Sequence, residues 1–137
     1  MNDLFKLTLA LTLILSLTAC SGPNLNDDNI IITISNEGVI NSTDCFERNL
    51  TRKVIMLESK YCAHCEETLP DFKAACNENN IEPVILDLSK EEDREQMESY
   101  RINIQFTPTF IFNCEYFVGA KSKLEYVKLL ENMKVDI

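Results

Sequence analysis

The stretch that most narrows what this chain can fold into is the apolar run KVIMLES, residues 53–59, which leads within three residues into Cys62-Ala63-His64-Cys65. A run with no polar alternation suits a strand covered on both faces of a sheet. Beyond it, Leu69, Phe72 and Cys76 recur at spacings of three and four, the period of a helix with one inward face. The Cys pair therefore falls at a strand-to-helix junction, with Cys62 at the helix start and Cys65 one turn inside. That spacing holds two Cα atoms within the roughly 4.4–6.8 Å a disulfide tolerates. Cys62 also meets unpaired backbone N–H groups and the positive end of the helix dipole, both of which favour thiolate over thiol. Cys65, deeper in the helix, is the expected resolving thiol. His64, the only histidine of the chain, is expected to stabilise the Cys62 thiolate further, while Glu66 and Glu67 in the same turn oppose it.

Other chemistries fit the pair less well. A zinc site needs four ligands, yet the remaining cysteines are scattered singly and no second histidine exists. Covalent haem attachment needs a histidine directly after the second Cys, and Glu66 stands there. A permanent structural clip closes almost no loop at this spacing and so stabilises little. A redox couple is the favoured reading, with a metal-binding or redox-sensing protein without turnover as the alternative. Neither a cofactor nor a bound metal is called for.

Upstream, the apolar run Leu7 to Thr18 is shorter than the roughly 20 residues that span a bilayer and matches the roughly 7–15 of a secretory signal core. It ends in Leu17-Thr18-Ala19-Cys20, which resembles a bacterial lipobox, although Asp3 departs from the usual basic lead. The resemblance implies a signal segment over 1–19, acylation of Cys20, and a membrane-anchored lipoprotein facing the periplasm or cell exterior. Ser21 after Cys20 resembles the pattern that sorts such proteins to the outer membrane in Gram-negative cells. Residues 20–29 read as the lipidated Cys with a short polar tether, and 30–137 as one domain. The chain carries 22 Asp and Glu against 13 Lys and Arg, a balance that repels phosphate backbones and argues against nucleic acid as a partner. Membrane attachment is then left to acyl chains. In an exported protein disulfides persist. Five cysteines remain after Cys20, so at least one is free or pairs between chains. Cys76 continues the inward helix face and reads as a small buried hydrophobe; Cys114 is expected to be exposed in a hairpin turn. Cys45 and Cys114 are candidates for a structural bridge.

The pattern elsewhere predicts an N-terminal strand or hairpin over IIITI and VI, and a short helix or turn around Cys45 and Phe46 that tucks against the core. EPVILDL reads as a second buried strand. Ser89 with Glu92, and Ser122 with Glu125, have the S-x-x-E form of a capping box opening a helix. TFIFN and EYFVGA read as a tight antiparallel hairpin. Leu124, Val127, Leu130 and Met133 give the last helix its inward face. The order implies an α/β sandwich with a central mixed sheet flanked by helices.

In that order the residues resemble the thioredoxin superfamily over roughly residues 53–133. YCAHC resembles its active-site motif, Pro70 its helix-kinking proline, FTPTFIF its cis-proline loop, and VGAKSKLEYVKLL its closing glycine and last helix. The resemblance implies a thiol–disulfide oxidoreductase with Cys62, His64 and Cys65 at the reacting site. It also implies a cis bond at Thr107-Pro108, with Tyr61, Thr107 and Pro108 holding substrate, and protein thiols or disulfides as partners. A membrane electron carrier is a possible further partner if the protein acts as a reductant. The family's buried acid six residues before the first Cys is replaced by Met56. Glu58 is the nearest carboxylate, read as an exposed strand end or as a proton acceptor for Cys65.

Overall fold

The computed structural model describes residues 30–135, and the expected signal segment, Cys20 and the tether lie outside them. Among the described residues seven strands and four helices follow in order: β1 (Ile32–Ile34), β2 (Gly38–Val39), α1 (Ser42–Glu47), β3 (Val54–Glu58), α2 (Ala63–Glu78), β4 (Val84–Asp87), α3 (Glu91–Ser99), β5 (Ile102–Ile104), β6 (Thr109–Phe112), β7 (Glu115–Val118) and α4 (Lys123–Val135). Five strands form a mixed sheet in the order β2-β7-β6-β3-β4. β3 and β4 are parallel, and β6, β7 and β2 add in antiparallel steps. With helices on both faces this is a three-layer α/β sandwich of the thioredoxin-like kind. No helix among the described residues is long and apolar enough to cross a membrane.

Alternation along β3 and β6 sorts the core into two halves. Val54, Met56, Phe110 and Phe112 pack with Phe72 and Ala75 of α2 and with Tyr126 and Leu130 of α4. Ile55, Leu57 and Ile111 pack instead with Cys45 and Leu50 near α1, Met97 of α3, and Ile34 and Ile102 of the β1–β5 pair. The first half is dominated by rings: Phe72, Phe110 and Tyr126 lie with centroids 5.1–5.5 Å apart. Edge and offset contacts of this kind stabilise beyond the area they bury.

Several expectations are corrected. β1 and β2 do not pair as a hairpin: β1 runs parallel to β5, and β2 joins the edge at β7. There Gly38 has no side chain, and any Cβ would run into the Tyr116 ring. β5 itself was not expected, because three residues carry too little pattern to read. β4 is an edge strand and only half buried at Val84 and Ile85. α1 forms, capped by Asn41, and buries Cys45, but Phe46 faces solvent. Ser89 does not cap α3; its hydroxyl and N–H both bind Asp87 Oδ1, and Lys90 takes the cap position. In α4 Leu124 is exposed, and Tyr126 with Leu130 forms the buried line. Cys114 is half buried rather than exposed. The hairpin at Asn113-Cys114 and the Ser122–Glu125 capping box form as expected. α2 continues through Pro70 without ending.

Candidate active site

The carboxyl end of β3 and the start of α2 set the first part of the site. The connecting loop is pinned by Lys60 N–H on Asp87 Oδ1 at 3.2 Å and by Cys62 N–H on the Ser59 carbonyl at 2.9 Å. Asp87 suits this work: hydrogen bonds from the Ser89 hydroxyl hold its carboxyl below the usual range against the opposing effect of burial. Cys62 is the N-cap of α2, in extended backbone geometry, and its Sγ accepts the Cys65 N–H at 3.2 Å. One first-turn donor, the Cys65 N–H, is therefore shared between this sulfur and the Cys62 carbonyl, in the region where helix N–H groups lack intrahelical partners. Cys62 and Cys65 form a disulfide with Cα atoms 5.2 Å apart. Cys65 is fully buried and Cys62 half buried, so one sulfur of the bond is reachable.

The second part comes from the loop between β5 and β6. Leu57 pairs with Thr109 across β3 and β6, which places Thr107 and Pro108 just past the end of β3. Their peptide bond is cis, and the Thr107 carbonyl oxygen lies 3.4 Å from Cys62 Sγ. Three bonds hold the loop: Gln105 N–H to the Ile34 carbonyl, Thr109 Oγ1 to the Phe106 carbonyl, and Gly119 N–H to the Pro108 carbonyl at 2.8 Å. Gly119 has φ +97, a conformation few other residues adopt.

The remaining candidates are placed less centrally. His64 points outward, its side chain 80 % exposed, with Nδ1 3.5 Å from Glu67 Oε2. The polar neighbours of Cys62 Sγ are instead the Cys65 N–H and the Thr107 carbonyl. Tyr61 is exposed beside the disulfide, with the Lys60 ammonium 4.9 Å from its ring centre. Met56 is fully buried. Glu58 is half buried rather than exposed, and desolvation, with the Asp87 charge second, raises its carboxyl above the usual range. It shares a strand face with Val54 and Met56, the side covered by α2. Sequence reading did not single out Asp87 or Phe106, and it noted Gly119 only as the closing glycine of the resemblance, not for its bond to the Pro108 carbonyl. Phe106 is an exposed aromatic next to Thr107, and its place in FTPTF was the available signal. Among the described residues no group of three or more His, Cys, Asp and Glu side chains is arranged to hold a metal ion. Compared with known proteins, the chain matches no family model and no curated protein.

Proposed function

We propose that this protein is an exported, lipid-anchored thiol–disulfide oxidoreductase of the thioredoxin superfamily, acting on protein thiols or disulfides. The observation that carries the reading is a half-exposed disulfide at a helix N-terminus with the carbonyl of a cis Thr-Pro unit 3.4 Å from its outer sulfur. A second disulfide, Cys45–Cys114, supports an oxidising compartment.

The chemistry is two successive exchanges. A substrate thiolate attacks Cys62 Sγ, forms a mixed disulfide and expels Cys65 as thiolate. A second substrate thiolate then attacks the substrate sulfur of that mixed disulfide and expels Cys62. The substrate gains a disulfide and the protein gains two thiols, and the reverse sequence reduces a substrate. Cys62 is a good leaving group because the helix N-terminus stabilises its thiolate. Peptide groups flanking a substrate cysteine can pair with the Thr107 backbone as an added extended strand, with Tyr61 and Phe106 covering apolar neighbours. Turnover needs an external dithiol or disulfide partner to restore the starting state.

The test is exchange by the mature protein with a peptide dithiol and with insulin. Cys62→Ser is expected to reduce both rates to background, and Cys65→Ser to accumulate the mixed disulfide. Unchanged rates in Cys62→Ser refute the reading. Equilibration with glutathione gives the direction: a potential of about −120 mV marks an oxidant, and one of about −270 mV a reductant.

A further inference from the structure

We propose that the end of the domain remote from the disulfide rests on the lipid surface through Ile30, Ile31 and Phe46, so that Cys62 and Cys65 face away from the bilayer. This rests on the lipid-anchor reading above.

Strand directions fix which end is which. β3 runs from Val54 towards the disulfide, and β6 returns so that Phe112 stands beside Val54. Lys53 and Asn113, joined by a 2.7 Å backbone bond, therefore mark the far end. Lys53 Nζ lies 3.4 Å from Tyr100 Oη. The buried Arg48 guanidinium donates to the carbonyls of Arg101 at 2.6 Å and of Ile30 at 2.8 Å. The chain thus comes into the domain at the far end, and β1 climbs from there beside β5 towards the site. The five residues of β3 alone separate the two ends by roughly 17 Å.

Large exposed apolar side chains gather at both ends. Tyr61 and Phe106 flank the disulfide. At the far end Ile30 is 53 %, Ile31 62 % and Phe46 76 % exposed, and Arg48 ties the Ile30 backbone to the end of the helix that carries Phe46. Three such side chains supply far less than the roughly 800 Å² per partner that stable protein association buries, which argues against a second copy as the occupant. What the sequence supplies at this end is a lipid anchor. Cys20 is ten residues before Ile30, and ten residues reach at most about 35 Å. Glu98 and Arg101 line the hollow beside Ile31, and Asp44 and Glu47 share α1 with Phe46, so no basic cluster draws anionic lipid to the patch. The contact is therefore apolar in character, formed on zwitterionic lipid and insensitive to salt. Substrates then approach the disulfide from the water phase on the side away from the membrane.

The chain has no tryptophan, so a single introduced indole reports its own surroundings. The acylated full-length mature protein is placed in phosphatidylcholine vesicles whose acyl chains carry bromine, a contact quencher. In the Phe46→Trp variant emission is expected to fall about twofold relative to unbrominated vesicles, since interfacial side chains enter the headgroup and acyl boundary by roughly 5–10 Å. In Tyr61→Trp emission should not change. Adding Ile30→Asn and Ile31→Asn to Phe46→Trp should abolish the quenching while the protein still floats with the vesicles. Equal quenching at both positions, or none at either with flotation retained, overturns the orientation and leaves the anchor reading intact. Loss of flotation in the parent protein refutes the anchor reading, and the orientation with it. A blue shift of Phe46→Trp emission that grows with protein concentration in vesicle-free detergent assigns the patch to a second copy and also overturns the proposal.

Discussion

Cys62 and Cys76 stand on one helix and differ in every respect that governs thiol chemistry. The first caps the helix N-terminus with one face open; the second is free and buried among Phe72, Ala75 and Tyr126. Burial pushes the Cys76 thiol up from 9.0 to about 12. Across that window the folded state holds a proton that the unfolded state has lost, so stability falls as pH rises above 9.0, by up to about 1.4 kcal/mol per pH unit. Cys76→Ala is expected to flatten this alkaline loss, measured as melting temperature from pH 8 to 11, and the reduced parent should not alkylate at Cys76 while folded. Glu58 behaves in the same sense at lower pH. Its raised carboxyl keeps a proton longer in the folded state, so its ionisation above the usual carboxylate range destabilises the fold. Glu58→Gln should raise the melting temperature at pH 7, and the gain should vanish as pH falls below that range. A gain that persists in acid would show that shape rather than charge is responsible.

At the scale of elements, two copies of one signal had opposite outcomes. Ser122 and Glu125 cap α4 reciprocally, and the Ser122 hydroxyl and N–H hold the Glu125 carboxyl below its usual range. Ser89 has the same spacing to Glu92, but Asp87 two residues earlier captures both its donors. Ser122→Ala is expected to cost about 1 kcal/mol in denaturant unfolding, whereas Ser89→Ala should act by freeing Asp87 and loosening its hold on Lys60. Gly119→Ala meets no neighbour within 4 Å but is strained at its positive φ, at about 1 kcal/mol or more. Because Gly119 N–H holds the Pro108 carbonyl, that variant should also slow exchange at Cys62. The strands β3, β6 and β7 and the helix α2 were legible because each has a local pattern: an unbroken apolar run, a tight turn, a periodic face. The β1–β5 pair was not, since three residues bind a partner 70 positions away and nothing local announces it. In the last helix Val127, Leu130 and Met133 pack on the core as the apolar period implies, but Leu124 is exposed and the unread Tyr126 ring turns inward, bonded to Thr68 Oγ1 at 2.7 Å. The Cys pair was readable from spacing alone. The cis-proline loop was readable only by resemblance, because proximity of residues 45 apart is a property of the folded sheet.

For the whole molecule, the two disulfides divide labour by loop length. Cys62–Cys65 spans three residues, and Cys45–Cys114 spans 69, joining α1 to the β6–β7 hairpin. On the chain-entropy account the longer loop contributes about 4 kcal/mol, the shorter far less. A Cys45→Ser, Cys114→Ser double variant should lose stability on that scale in denaturant unfolding yet retain exchange at Cys62 at low temperature. Loss of exchange in a variant still folded at that temperature would mean that the bridge also shapes the site. Arg48 has a mechanical consequence. A pull on the residues before Ile30 meets the guanidinium bonded to the Ile30 carbonyl, then the bonds of β1 along β5. Tension shears one short strand against its neighbour, and the force spreads into α1 and the turn after α3. The sulfurs of Cys62 and Cys65 sit beyond the other end of the sheet, outside that load path.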